Sequence, residues 1–303
     1  MYVFFISGIE EGVDVVIEAS SVRLWGLFIN SLKGGKQMDK QFTEVERLYV
    51  EPKITIVGAG PGDPDLISVK GVKALKTADV IIYDALVDEE LLNYVPKEAT
   101  RVYVGNPSGD ENFSQPTVNQ LMVDYALNFG HVVRLKGGDL FVFGRGYEEL
   151  DFAASYSIET AIVPGISSAI SVPGLQGIPV THKGGSDSLW ILSGTDGDGK
   201  LNPEFRDAAA SKATVVVLLG YDQLHDIVEI YKSVGKGRLP AAVIQNGSMK
   251  NEKVAIGLVN TIEEVAKEEA IDNTGPVLLV FGQTVSLHKS FYHILDFLEG
   301  QQY

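Results

Sequence analysis

An apolar, β-branched run, Ile54-Thr55-Ile56-Val57, passes directly into Gly58-Ala59-Gly60-Pro61-Gly62-Asp63-Pro64. A buried strand feeding a loop this rich in glycine and proline commits the chain to an α/β unit, with a turn at the strand end where nucleotide-like ligands sit. Gly58 and Gly60 supply the first two glycines of a dinucleotide fingerprint. Asp63 stands where the third belongs, and Pro61 and Pro64 bracket the place where a phosphate-binding helix would begin. A carboxylate there repels a pyrophosphate, and no Gly-Lys-Ser/Thr follows at Walker spacing. A lone Gly-x-Gly reads by default as a tight strand-to-helix turn. The length of this loop, and a second glycine loop downstream, set it apart.

From Lys53 the pattern alternates. Strands are predicted at Ile54–Val57, Val80–Tyr83, Arg101–Val104, His131–Leu135 and Glu159–Val163. Helices are predicted at Leu66–Lys76, Asp88–Tyr94 and Pro116–Asn128, the last with Ser114 as N-cap, and from Tyr147. Such alternation implies a largely parallel sheet. Loops after its strands, at Pro61, at Gly137-Gly138-Asp139 and at Pro164 to Ala169, can meet at one carboxyl edge. From Pro173 to Gly185, glycines and prolines mark a passage between domains. Beyond it, strands are expected at Leu189–Ser193, Val215–Leu219, Ala241–Gln245, Lys253–Gly257 and Val277–Phe281, with helices at Asp222–Ser233 and Ile262–Glu269 and a surface loop at Gly194–Lys200. The expected organisation is an appendage over residues 1–50, an N-terminal α/β domain over 51–172 and a C-terminal α/β domain, richer in antiparallel pairing, over 173–303.

The totals bound the partners. With 303 residues, 45% of them hydrophobic, the chain can bury two sizeable cores. A formal net charge of -15 argues against nucleic acid or an anionic membrane. There is no cysteine, which excludes disulfides and thiolate chemistry and suits a reducing, cytoplasmic setting. Tyr2 to Ile9 lacks a basic flank and ends at Glu10-Glu11, unlike a signal peptide, and no apolar run near the start approaches the about 18 residues of a membrane span. A linker from Lys33 to Gln41 contains Met38, a possible alternative start.

Read alone, each candidate side chain has a plain structural role. Gly137-Gly138 makes a turn with Asp139 as its cap, Asp84 is a loop carboxylate at a strand end, Ser167 and Ser168 cap a helix, and His182 and Lys183 are exposed loop residues. Their order changes that reading. Val57 to Leu66, Tyr83 to Val87, Val133 to Gly146, Val163 to Ala169 and Gly177 to His182 together resemble the tetrapyrrole (corrin/porphyrin) methylases, above all the branch that C-methylates uroporphyrinogen III.

The resemblance implies two α/β domains with S-adenosyl-L-methionine in the cleft between them, S-adenosyl-L-homocysteine as product, and a homodimer. It implies transfer of two methyl groups to pyrrole carbons, giving precorrin-2 on the way to sirohaem or cobalamin. Matching positions assign the cofactor to Pro61, Gly137, Gly138, Asp139, Val142, Ser167, Ser168, Leu219 and Gly247, and the general base to Asp84. The electrophile is already activated, so no metal is required. The substrate's carboxylates would fall to Arg134, Arg145, His182 and Lys183.

The chain departs from the family in three places. Gly105-Asn106-Pro107 replaces Gly-Lys-Arg and removes the lysine proposed as proton donor. Ala85 stands where Asp-Arg is frequent, and Leu140 follows Gly-Gly-Asp in place of proline. Methylation of a later corrin precursor, or a weakly active paralogue, is therefore an alternative. An NAD-dependent dehydrogenase would need a glycine near position 63, and a pure binding protein would hold the cofactor without turnover. Bifunctional relatives carry a dehydrogenase and ferrochelatase module ahead of this domain, and residues 1–50 are too few to hold one, so methylation alone is expected.

Overall fold

A computed structural model describes residues 2–6, 15–19, 50–105 and 114–291. The linker with Met38 and the Asn106-Pro107 departure lie outside the described residues. Within the amino-terminal stretch, β1 (Tyr2–Ile6) pairs antiparallel with β2 (Val15–Ala19).

Five strands, β3 (Lys53–Gly58), β4 (Val80–Tyr83), β5 (Thr100–Tyr103), β6 (His131–Lys136) and β7 (Glu159–Val163), form a wholly parallel sheet in the order β5-β4-β6-β3-β7. Both faces are covered, which is why β3 and β6 read as near-continuous apolar runs. On one face Val57, Val133, Leu135 and Val163 pack with Leu75 of α1 (Val69–Leu75) and with Leu91 and Leu92 of a 3₁₀ segment (Glu89–Tyr94). On the other, Ile54, Ile56 and Val132 pack with Met122, Val123 and Ala126 of α2 (Gln115–Phe129) and with Ala153 of α3 (Gly146–Ser155). The chain thus leaves β3 toward one face and the neighbouring β6 toward the other. This is the switch-point topology that opens a crevice beyond the strand ends.

A second sheet of β8 (Leu189–Ser193), β9 (Thr214–Leu218), β10 (Pro240–Gln245), β11 (Lys253–Leu258) and β12 (Val277–Phe281) has the order β11-β10-β12-β9-β8, parallel between β8 and β9 and antiparallel elsewhere. The connecting helix α4 (Ser168–Leu175) starts at the end of β7 and buries Ala169 and Val172 against Val216, Ala242 and Ile244 of this sheet. One helix therefore belongs to both units. It continues through Pro173, where the sequence suggested the chain would loosen. The other face is covered by α5 (Phe205–Ala210), α6 (Leu224–Ser233) and α7 (Ile262–Glu268).

The predicted helix from Leu66 is in two parts. Pro64–Leu66 forms a 3₁₀ turn, Ile67 is extended, and Ser68 caps α1 by accepting from the Gly71 N–H at 3.0 Å. Asp88 caps the Glu89–Tyr94 segment in the same way.

Candidate active site

Three strand-end loops of the first sheet meet backbone to backbone. Gly60 and Gly138 exchange both backbone hydrogen bonds, N–H of Gly60 to O of Gly138 at 3.2 Å and the reverse at 2.6 Å, while the Ala59 N–H donates to the Lys136 carbonyl at 2.7 Å. Gly60 at φ +92° and Gly138 at φ +67° adopt a region that L side chains avoid. A Cβ on Gly138 would meet nothing within 4 Å, so this side of the loop stands open to a ligand. Asp139 binds the loops together: Oδ1 accepts from the Phe141 N–H at 2.9 Å and Oδ2 from the Gly165 N–H at 3.2 Å. Ser167 caps α4, its hydroxyl accepting from the Ala169 N–H at 3.3 Å, and Ser168 is the first residue of that helix.

The second sheet brings its own strand ends to the same place. β9 and β10 flank β12 and run parallel to each other, so Leu219 and Asn246 to Met249 share one edge. Leu219, 69% exposed, Asn246 and Ser248 all hold positive φ, at 55°, 52° and 72°. Non-glycine residues strained in this way cluster at ligand sites. Gly247 is buried because its backbone lies against Val172, whose Cγ1 would be 2.3 Å from a Cβ there. The two edges touch: the Asp63 N–H donates to Ser248 Oγ at 3.1 Å, and a Cβ on Gly62 would lie 2.9 Å from Met249 Cε. Glu252 steadies this contact, accepting from the Ser248 N–H at 2.8 Å and from Gln176 Nε2 at 2.6 Å. Pro61 lies half-buried beside it, and Val142 half-buried in the second loop.

Asp84 follows β4. Its Oδ1 accepts from the Leu86 N–H at 3.2 Å and its Oδ2 from Arg134 Nη2 at 3.3 Å, and the side chain is 25% exposed. The Asp84 turn abuts the second loop, since a Cβ on Gly137 would lie 2.5 Å from Leu86 Cβ. That contact explains the glycine at 137 and brings the turn that follows Asp84 against the second loop.

Arg145, His182 and Lys183 are exposed, Arg145 at φ 55° immediately before α3. Arg134 is not with them. It is 4% exposed, and its guanidinium is engaged by Glu149, Asp84 and the carbonyls of Ile82 and Leu135. The expectation that it grips a substrate carboxylate gives way to a buried role, because the guanidinium is shut away from solvent and already donates to four acceptors. Lys136, unremarked in the sequence, is also buried, with Nζ 2.8 Å from Glu149 Oε1. Burial first, then the nearby Arg134 charge, lowers its pKa against the opposing pull of Glu149. The signal for this pair was two cations at i and i+2 in an apolar strand, which must share a face and a counter-ion.

A separate cavity of about 590 Å³ opens at the opposite, amino edge of the first sheet, lined by Lys53, Thr77, Asp79, His131 and Glu159 among others. It has no contact with these loops.

The profile of the Tetrapyrrole (Corrin/Porphyrin) Methylases matches residues 53–265. A uroporphyrinogen-III C-methyltransferase of Methanocaldococcus jannaschii is 40% identical over 237 residues, 78% of this chain and 97% of that one. A siroheme synthase of Actinobacillus succinogenes is 39% identical over 246 residues, 81% of this chain; the match spans 51% of that protein, about half its length. Among solved structures, uroporphyrin-III C-methyl transferase from Thermus thermophilus, complexed with S-adenyl homocysteine, is similar at 32% identity and a TM-score of 0.64, covering 78% of this chain and 99% of that one.

Proposed function

The chain belongs to the tetrapyrrole (corrin/porphyrin) methylases, and from that premise we propose that its reaction is the S-adenosylmethionine-dependent C-methylation of uroporphyrinogen III, giving precorrin-2. It is a methyltransferase, and S-adenosyl-L-methionine is its methyl donor. The observation that carries the reading is the convergence of the Gly60, Gly138 and Gly165 loops with the Leu219 and Ser248 edge.

The residues fit such a nucleoside. Glycines at 137 and 138 let backbone groups approach it, Asp139 keeps acceptor capacity beyond its two N–H partners, and the exposed Leu219 offers an apolar surface. Pro61, Val142, Ser167, Ser168 and Gly247 complete the wall. The donor supplies a methyl group already activated on a sulfonium. What the chain contributes is alignment, which can lower such a barrier by about 7 to 11 kcal/mol. Asp84, held by Arg134 and the Leu86 N–H, accepts the proton that the methylated macrocycle must lose. Arg145, His182 and Lys183 remain accessible for the substrate's carboxylates. The finer reading is of a cytoplasmic homodimer. Among the described residues no helix is long and apolar enough to cross a membrane.

The test is anaerobic incubation with uroporphyrinogen III and the donor, read by mass spectrometry. A dimethylated product is expected. Its absence, in an assay where an authentic enzyme succeeds, overturns the substrate assignment, and calorimetry without heat from the donor overturns the cofactor assignment.

A further inference from the structure

Glu149 is fully buried in the first turn of α3. Its Oε1 accepts from Lys136 Nζ at 2.8 Å, Gln115 Nε2 at 3.1 Å and Arg134 Nε at 3.3 Å, while Oε2 has no hydrogen-bond partner among the described residues. Arg134 in turn reaches Asp84 with Nη2. Four charges of alternating sign, Lys136, Glu149, Arg134 and Asp84, therefore run from the root of the second glycine loop to the carboxylate at the end of β4.

Core packing does not call for this arrangement. Buried ion pairs often contribute no more stability than apolar residues of the same volume, and an orphaned carboxylate oxygen adds to the cost. The geometry has another consequence. Arg134 presents a rigid planar fork, and it is held from both sides, Nε by Glu149 and Nη2 by Asp84. The carboxylate that fixes the guanidinium plane also fixes Lys136, which immediately precedes Gly137-Gly138-Asp139.

We propose that Glu149 is a positioning residue for methyl transfer: through Arg134 it aims the Asp84 carboxylate, and through Lys136 it sets the second glycine loop, so that base and cofactor loop keep one fixed spacing. The inference rests on the assignment of Asp84 as the base. Glu149 touches neither donor nor macrocycle.

The test compares Glu149→Gln, the double variant Glu149→Gln with Lys136→Met, which leaves no lone buried cation where the pair stood, and Asp84→Asn. Each is assayed for thermal unfolding, calorimetric affinity for S-adenosylmethionine, kcat and KM. The double variant should stay folded and bind the donor within about threefold of the parent. Its kcat should fall on the order of 10²-fold, as misplacement of a reacting group does, with KM for the tetrapyrrole unchanged. On α2 the cluster is faced by the uncharged Gln115, which donates to both Glu149 and Asn119. A folded double variant with parental kcat overturns the inference, while a slowed Asp84→Asn leaves the base intact. Full turnover by Asp84→Asn overturns the base assignment and this inference with it.

Discussion

A Cβ on Gly165 would lie 2.2 Å from the Gly138 carbonyl oxygen and 2.7 Å from the Gly58 Cα. The obstacle is backbone on both sides, so no rotamer change can relieve it. Gly165→Ala should therefore push apart the loops that follow β6 and β7, and donor affinity measured by calorimetry should fall at least about tenfold, or 1.4 kcal/mol. Gly174→Ala is the matched control. It lies in α4, a Cβ there meets nothing within 4 Å, and the helix should gain about 0.5 to 1 kcal/mol. Equal donor affinity in the two variants would rule out the close approach of these loops as the basis of binding.

Arg134 separates two readings by kinetics. A residue that binds substrate carboxylates changes KM when removed and leaves the fold alone. The buried guanidinium predicts the opposite. Arg134→Met leaves Glu149 short of a partner and should cost roughly 3 to 5 kcal/mol of stability, read as a lower urea midpoint. In the fraction that folds, kcat should fall and KM should not. A raised KM with an unchanged midpoint would restore Arg134 to the substrate.

The fold was legible wherever a local pattern decided it. The apolar runs of β3 and β6, followed by glycine loops, announced a buried parallel sheet, and the prolines and glycines beyond α4 announced a second unit. Helix α5 carried no such mark, being a short alanine-rich segment without a side-chain cap at Glu204. The meeting of the glycine loops was legible in the sequence and the buried charges were not. An arginine in an apolar strand must have a counter-ion, but which of Glu148 and Glu149 turns inward depends on where α3 lies on the sheet. The contact from Asp63 to Ser248 spans 185 positions, beyond the reach of any local pattern.

That contact should influence donor binding. Ser248→Ala removes the acceptor of the Asp63 N–H, a half-buried group, and a hydrogen bond of this kind contributes about 0.5 to 1.5 kcal/mol. Donor Kd should rise between about twofold and tenfold with little change in kcat. Gly62→Ala should weaken binding further, because φ is +145° there and the new Cβ meets Met249 at 2.9 Å. If calorimetry finds Ser248→Ala at parental affinity, the edge-to-edge contact does not shape the donor site.

His131 gives the fold a pH dependence with a definite sign. Its Nδ1 faces the Thr77 carbonyl at 2.9 Å, which can only accept, so Nδ1 carries the proton and Nε2 accepts from the Thr55 hydroxyl at 2.7 Å. Burial, chiefly, holds its pKa below the ordinary 6.5, with Lys53 acting in the same direction and the Thr77 carbonyl against it. The unfolded chain therefore takes up a proton that the folded one refuses. The stability is present above about pH 6.5 and is lost as pH falls through the folded value. His288, also lowered by burial, adds to the same slope. Asp272, held at about 2 chiefly by hydrogen bonds from Thr274 and Gln245, titrates below this window and does not confuse it. Urea midpoints of the parent should fall between pH 7 and 5, and those of His131→Gln should fall less. Because His131 begins β6 at the edge away from the loops, donor affinity should not follow this slope, and a variant that altered both would tie the amino edge of the sheet to the site at the other.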